Sequence, residues 1–310
     1  MTMSVNPLIS VVIPAYNYAR TLPRAVDSVL VQLDPALAEL MVINDGSTDD
    51  TQQVIERLQA QHPGRFRAIL KENGGLSSVR NRGIREAVGT YLVFLDADDE
   101  LAPEALSMLA AHIAEHPQTR MVIGGHCSVT ADGRRREHIP EALPATRMER
   151  LRGYLLDKRI ALSNGACAMH REVFERADYP ESFRSAEDIP VFAQTLANYD
   201  CTVLAKPVAL IHKHDDSLRH QINHAKAGGT ALVDEVFSPR RLSAEFGGLK
   251  REFHVQRCLS LFRTCLLAGD EDSARSFFRE AIRMDWRVIF RWSYSRKALR
   301  LWLRGLGAKR

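Results

Sequence analysis

The sequence lacks most of the markers that identify a nucleotide-handling enzyme at sight. No Gly-x-Gly-x-x-Gly follows its first apolar run, and no Gly-x-x-x-x-Gly-Lys-Ser/Thr occurs. The glycine cradles of dinucleotide dehydrogenases and P-loop ATPases are therefore not expected. Cysteine is sparse and scattered: Cys127, Cys167, Cys201, Cys258 and Cys265 form no Cys-x-x-Cys pair. They are expected to be reduced thiols filling the core, not a disulfide or zinc framework. No apolar run approaches the length of a membrane span, and Met1 to Ser10 has no basic flank followed by an apolar signal core. A cytoplasmic protein is expected. Charge is also nearly absent in the net, at +4, and it is unevenly spread. The stretch from Arg283 to Arg310 carries nine Lys/Arg and one Asp, so the rest of the chain is net −4. A general nucleic-acid surface is not implied.

What is present is ordinary globular composition, 310 residues with 45% hydrophobic and 26% charged. That length suits one large α/β domain with an appendage. Leu8 to Ile13 is a β-branched run ending at Pro14, and Glu39 to Ile43 and Phe66 to Leu70 are further strand candidates. Helical periodicity separates them at Thr21 to Leu33, around Val54, Ile55 and Leu58, and at Leu76 to Ala87. This alternation predicts a βαβ parallel sheet, with polar turns gathered at one edge as the binding edge. The most informative stretch is Thr90 to Asp99: five large apolar residues run into Asp96, Asp98 and Asp99. Clustered carboxylates have no place in a core unless paired. At the end of a central strand they suit a hard divalent cation, or alternatively the cap of the next helix.

Beyond Asp99 the pattern predicts a helix from Glu104 to Glu115, a strand from Arg120 to Val129, and a loop from Arg134 to Ala145. Small residues around Asn164-Gly165 suggest either close backbone approach to a ligand or a simple turn. Glu187 and Asp188 precede an apolar helix, with a helix cap as the plain alternative. Ile211 to His220 packs three histidines among charges. After about Ala225 a helical hairpin is expected (Phe253 to Leu267, Ser273 to Met284). The tail places arginines at i+4 spacing beside Trp286, Phe290 and Tyr294, then Leu299, Trp302, Leu303 and Leu306 on one face with Leu301 off it. Such a helix suits an anionic membrane surface, or packs on the domain or on a partner.

Four segments together resemble family 2 glycosyltransferases: Val11 to Asn17, Ile43 to Thr51, Asn73 to Ile84, and Phe94 to Asp99. Weaker echoes run through Glu187-Asp188 to His214-Asp215-Asp216-Ser217-Leu218, and the tail is not covered. The resemblance implies a GT-A fold, a mostly parallel Rossmann-like sheet flanked by helices. It implies a donor-binding half over residues 1–99, an acceptor-binding half over 100–224, and a helical region over 225–310 outside it. It implies a nucleotide-sugar donor, with UDP-sugars favoured, a glycan or lipid-linked acceptor, a divalent cation (manganese or magnesium), and inversion at the anomeric carbon. By this similarity Asp98 and His214 would hold the metal, with Asp96 on the ribose or beside the metal and Asp99 as an alternative ligand. Pro14, Ala15, Tyr16 and Asp45 would form the nucleotide pocket, with Ala97 and Asn164 near the donor. Lys71, Arg80, Ser217 and Arg219 are candidate contacts to the diphosphate or base. Asp188 would be the general base and Glu187 its orienting partner or an acceptor contact. The family often carries an acid after the Asn of the first segment, where this chain has Tyr18. Two rivals are a sugar-nucleotide-forming nucleotidyltransferase, which would want a glycine-rich basic loop after the first strand, and a non-catalytic donor-binding scaffold. A zinc site from His212, His214, His220 and His224 is a further, weaker reading. A lipid-linked acceptor would place the enzyme at the inner face of the cytoplasmic membrane.

Overall fold

The computed structural model describes residues 6–213 and 226–307, with side chains described through Leu303. The first four strands, β1 (Ile9–Ala15), β2 (Ala38–Asn44), β3 (Arg67–Leu70) and β4 (Tyr91–Phe94), are mutually parallel and lie in the order β3-β2-β1-β4. β1, β2 and β4 read as apolar runs because both faces are covered, whereas the edge strand β3 is only half-buried. Alternate side chains feed two cores. Ile9, Val11 and Ile13 of β1, with Tyr91 and Val93 of β4, pack on one side. Val12, Leu92 and Phe94 pack on the other.

Helix α1 (Leu22–Leu30) and α2 (Thr51–Gln61) cover the first face through Leu22, Val26, Val29, Val54, Ile55 and Leu58. Helix α3 (Leu76–Glu86) covers the second and has few large apolar residues to do it with. It closes on the sheet at Gly83, where a Cβ would lie 2.8 Å from Val12 Cγ1. The face that α3 buries is partly polar, including Ser77, Arg80 and Asn81.

After β4 the topology becomes mixed. β5 (Glu100–Leu101) is a two-residue strand, and α4 (Ala105–Glu115) follows it. The helix therefore starts too late for Asp98 or Asp99 to cap it. β6 (Met121–Val129) continues the sheet, and β7 (Arg135–His138) folds back on it antiparallel across the Asp132-Gly133 turn. The sequence placed a loop there. The strand is exposed and polar on both faces, so it carries no period-two signal. α5 (Arg147–Leu155) begins at a reciprocal capping box of Thr146 and Glu149. A short 3-10 turn (Asn164–Ala166), β8 (Cys167–His170), α6 (Glu172–Arg176), α7 (Asp188–Asn198) and β9 (Cys201–His212) complete the sheet domain. β8 lies antiparallel between β4 and β6, β9 runs parallel to β6, and β5 closes the far edge on β9.

The remaining helices divide between two cores. α8 (Ala231–Val236) and the start of α9 (Lys250–Leu267) pack with α5 and α7. The rest of α9 packs with α10 (Glu271–Met284) and α11 (Trp292–Gly307) around Phe262 and Phe278. The face of α11 that packs differs from the expected stripe. Leu301 is 2% exposed and Ala298 is buried with it, whereas Leu299 and Leu303 are 57% and 58% exposed. Counting apolar residues along one strip missed this, because α11 is apolar on two faces and only one has a partner among the described residues. Among the described residues no helix is long and apolar enough to cross a membrane.

Candidate active site

The polar edge of the parallel strands opens on a cavity of about 980 Å³ lined by Pro14, Ala15, Tyr16, Tyr18, Asp45, Asn73, Asp96, Ala97 and Asp98, among others. Asn17 adopts a left-handed φ of 60° at the end of β1. Its side-chain oxygen accepts from the backbone N–H of Thr48 at 2.8 Å, and its own N–H donates to Ser47 Oγ at 3.0 Å. The loops after β1 and β2 are thereby tied together as one wall.

Asp45 forms the base of that wall and is buried. Lys71 Nζ lies 2.5 Å from its Oδ1, which also accepts from Gly74 N at 2.9 Å, while Gly75 N donates to Oδ2 at 2.7 Å. A carboxylate has about four acceptor positions. Among the described residues three are used, and Oδ2 keeps one for a ligand. Lys71 is committed to this carboxylate and to the carbonyl of Glu72. Gly75, at φ 84°, has the left-handed geometry that lets the loop turn into α3. A Cβ there would also meet the Arg184 guanidinium, which shares the cavity.

The three acids after β4 separate in space. Asp99 turns inward, is buried, and accepts from the backbone N–H of His212 on β9 at 2.8 Å. Burial, with Asp96 and Asp98 adding to it against the His212 bond, pushes its carboxyl up to about 8. Asp96 and Asp98 open on the cavity. The backbone at Asp98 is held from α1, where Arg24 Nη2 donates to the Asp98 carbonyl at 2.6 Å. Burial and then these acids push the Tyr18 phenol above its ordinary range, so Tyr18 stays a neutral hydroxyl beside them. Two carboxylates at a cavity mouth are a hard oxygen donor pair, which fits magnesium or manganese.

A second hollow of about 360 Å³ adjoins the first, sharing Leu76, Asp96 and Arg184 with it. Asn164, Glu187 and Asp188 lie on its far side. Arg80, 2% exposed, joins the two walls. Its Nη1 donates to Glu187 Oε1 at 2.8 Å and its Nη2 to Asp96 Oδ1 at 3.2 Å, and its guanidinium lies 5.2 Å from the ring centre of Tyr179. Burial opposes the charge, but Asp96, Tyr179, Glu187 and Asp188 hold Arg80 firmly protonated. Tyr179 in turn donates to Asn164 Oδ1 at 2.6 Å. Asp188 begins α7, and no side-chain cap bond forms there. Its carboxyl is pushed up to about 6, by burial first and the Glu187 charge second, with Arg80 opposing.

Every expected site residue within the described range thus lies at these two hollows or directly behind them. His214, Ser217 and Arg219, with His220 and His224 of the zinc reading, lie outside the described residues. His212 is engaged elsewhere, its Nε2 2.7 Å from Glu100 Oε1. Arg80 is not on the outer face of its helix, where a bare charge would sit; it is an internal tie. Tyr18, Tyr179 and Arg184 were missed. Tyr18 stood in the sequence only as a departure from the family pattern, and the other two reach the site from loops without periodicity.

The "Glycosyl transferase family 2" model matches residues 10–177. The chain is 34% identical over 193 residues to the uncharacterized glycosyltransferase EpsJ of Bacillus subtilis, covering 59% of this chain and 54% of EpsJ. It is 39% identical over 127 residues to the chondroitin synthase of Pasteurella multocida, covering 41% of this chain and 13% of that one. It therefore spans little more than half of EpsJ and a small part of the synthase. Among solved structures it is similar to Staphylococcus aureus TarS 1–349 in complex with UDP-GlcNAc, with TM-score 0.67, 20% identity, and coverage of 94% of this chain and 88% of TarS. It is also similar to the mannosyltransferase PcManGT of Pyrobaculum calidifontis in complex with GDP-Man and Mn2+, with TM-score 0.55, 18% identity, and coverage of 99% and 89%. These two likenesses speak to the fold. With more than half of its residues matched by the family model, the chain belongs to glycosyl transferase family 2.

Proposed function

We propose that this enzyme transfers a sugar from a nucleotide-diphosphate sugar to a hydroxyl of a glycan or lipid-linked acceptor, with inversion at the anomeric carbon. The observation that carries the reading is Asp188, raised to about 6 and facing the donor cavity across Asp96 and Arg184. In this reading the nucleotide lies against Pro14, Ala15, Tyr16 and Asp45. The acceptor oxygen bonds to the anomeric carbon as the bond to the diphosphate oxygen breaks, and its proton passes to Asp188. Glu187, held by Arg80, keeps that carboxylate basic. Asp96 and Asp98 would hold a manganese or magnesium ion, which when bound neutralises charge on the diphosphate. Residues 1–99 serve the donor and residues 100–224 the acceptor, with 225–310 as a helical extension.

Room for an extended acceptor supports this. Beyond Asp188 the surface continues along Ile160 and Ala161, past a hollow of about 240 Å³, to one of about 320 Å³ beside the stacked rings of His126 and His138. A nucleotidyltransferase reading lacks its basic glycine loop, since β1 ends in Pro14-Ala15 and Tyr16-Asn17-Tyr18 follows it.

The test is a panel of nucleotide sugars, UDP-sugars first, read by thermal melting with manganese or with chelator. One donor is expected to raise the melting temperature with manganese and not with chelator. A chain stabilised by none of them, or equally in chelator, contradicts the reading.

The tail supports a second element, contact with a membrane that carries the acceptor. Trp292, Leu299 and Leu303, the first 73% exposed, form an outward stripe on α11 beside Arg296 and Arg300. Trp286 and Phe290, edge to face at 5.7 Å, are also exposed. Apolar side chains flanked by arginine suit an anionic bilayer surface. Removing the tail would strip Val288, Ala298 and Leu301 from the helical core, so point variants are the cleaner probe. Flotation with phosphatidylglycerol-containing liposomes should fall severalfold when Trp292, Leu299 and Leu303 become serine; equal recovery sinks the idea.

A further inference from the structure

Outside the active site, three side chains of different chemistry converge between α9 and α10. His254 and Cys258 lie one turn apart on the same face of α9, and Glu280 approaches from α10. One ligand atom from each lies within 4.8 Å of the others, and among the described residues this is the group of three metal-ligating side chains so placed. His254 Nε2 is 2.9 Å from Glu280 Oε1. Cys258 is fully buried beneath, while His254 and Glu280 remain partly open to solvent. A thiol below with an imidazole and a carboxylate at the surface makes a half-open cup with an entry path.

We propose that His254, Cys258 and Glu280 bind one zinc ion that pins α9 to α10. Zinc takes sulfur, nitrogen and oxygen donors in a tetrahedron, and bonds of roughly 2.0–2.3 Å make its edges roughly 3.3–3.6 Å. The 2.9 Å contact between imidazole and carboxylate opens by roughly half an ångström to reach that edge, within the freedom of a glutamate side chain. Water from the open side supplies the fourth ligand. On binding, the Cys258 thiol loses its proton to solvent and the imidazole binds neutral through Nε2. Thiolate plus carboxylate then balance the two positive charges, so a partly buried site carries no net charge. The donor set also separates this site from the acid loop. Sulfur and nitrogen select zinc-class ions, whereas Asp96 and Asp98 suit magnesium or manganese. The hairpin so pinned is the one on which α11 packs. This inference does not depend on the proposed glycosyl transfer.

Cobalt is the probe, titrated into the full chelator-treated chain in millimolar magnesium so that oxygen sites are filled. One equivalent of cobalt should bind with a thiolate-to-metal absorption band in the near ultraviolet, and zinc should displace it. Cys258→Ser should abolish the band, while Cys265→Ser, which removes another buried thiol of α9, should keep it. Glu280→Gln retains thiol and shape and should weaken cobalt binding at least tenfold. No band in the unsubstituted chain, a band that survives Cys258→Ser, or unchanged affinity in Glu280→Gln overturns the proposal.

Discussion

Two buried arginines hold the same helix, one at its start and one at its middle, and they teach different things. Arg241, 0% exposed, holds the middle of α7: its Nη1 donates to Gln194 Oε1 at 2.6 Å, its Nη2 to the Asp178 carbonyl at 2.7 Å, and its Nε to Glu235 Oε1 at 2.8 Å. Burial pulls its charged form down, with Glu235 first and Asp178 after it opposing that. Arg80 holds the start of α7 through Glu187, but its other fork reaches Asp96 across the hollow. Its Nε is buried and without a hydrogen-bond partner among the described residues. Arg241 is held by two neutral oxygens and one carboxylate and lines neither hollow, so it acts as a staple. Arg80 is held by two carboxylates at a cavity wall, beside a third whose protonation it opposes. In the proposed mechanism Arg80 therefore serves chemistry and Arg241 stability; both are hidden to the same degree, but only Arg80 stood among the residues the sequence put forward.

The first way to break this comparison is Arg241→Met. It leaves the Gln194 and Asp178 oxygens unpaired in the core, and breaking such a buried network costs about 3–5 kcal/mol. Urea unfolding should show that loss while the folded fraction transfers sugar normally. A variant with normal stability would remove the staple. Arg80→Met should act the other way, lowering kcat/KM by roughly a hundredfold, about 2.7 kcal/mol of barrier. It should also move the acid limb of the rate profile upward in pH, because Arg80 is the group that opposes protonation of Asp188. The smallest effect is the sharpest. A base must be unprotonated, so kcat/KM should fall with unit slope below about pH 6 as Asp188 takes up its proton. Glu187→Gln removes the negative neighbour that raises this value, so the limb should shift to lower pH. No shift means Glu187 does not bear on Asp188, and a shift upward contradicts the sign of its effect.

The first parallel strands were legible because strands covered on both faces become apolar runs, and each ends at the same polar edge. Asp45, Asp96 and Asp98 could be placed at one edge for that reason. The internal role of Arg80 was less visible. A trace of it existed: α3 has only Leu76, Val79 and Ile84 as large apolar residues, so a helix lying on the sheet had to bury polar groups. Asp99 turned inward because β9, over a hundred residues later, offers the His212 N–H. Nothing local in the sequence encodes that partner. Tyr179 and Arg184 likewise arrive from an aperiodic loop, and the outward stripe of α11 depended on which of two apolar faces found a neighbour.

The account rests on Asp188 as the group that accepts the proton of the attacking hydroxyl. The direct measurement is Asp188→Asn, assayed for transfer and for donor binding with the nucleotide sugar identified by melting. The amide keeps the shape and removes the base. Turnover should fall by about a thousandfold, with donor affinity and melting temperature unchanged. Undiminished transfer would contradict it.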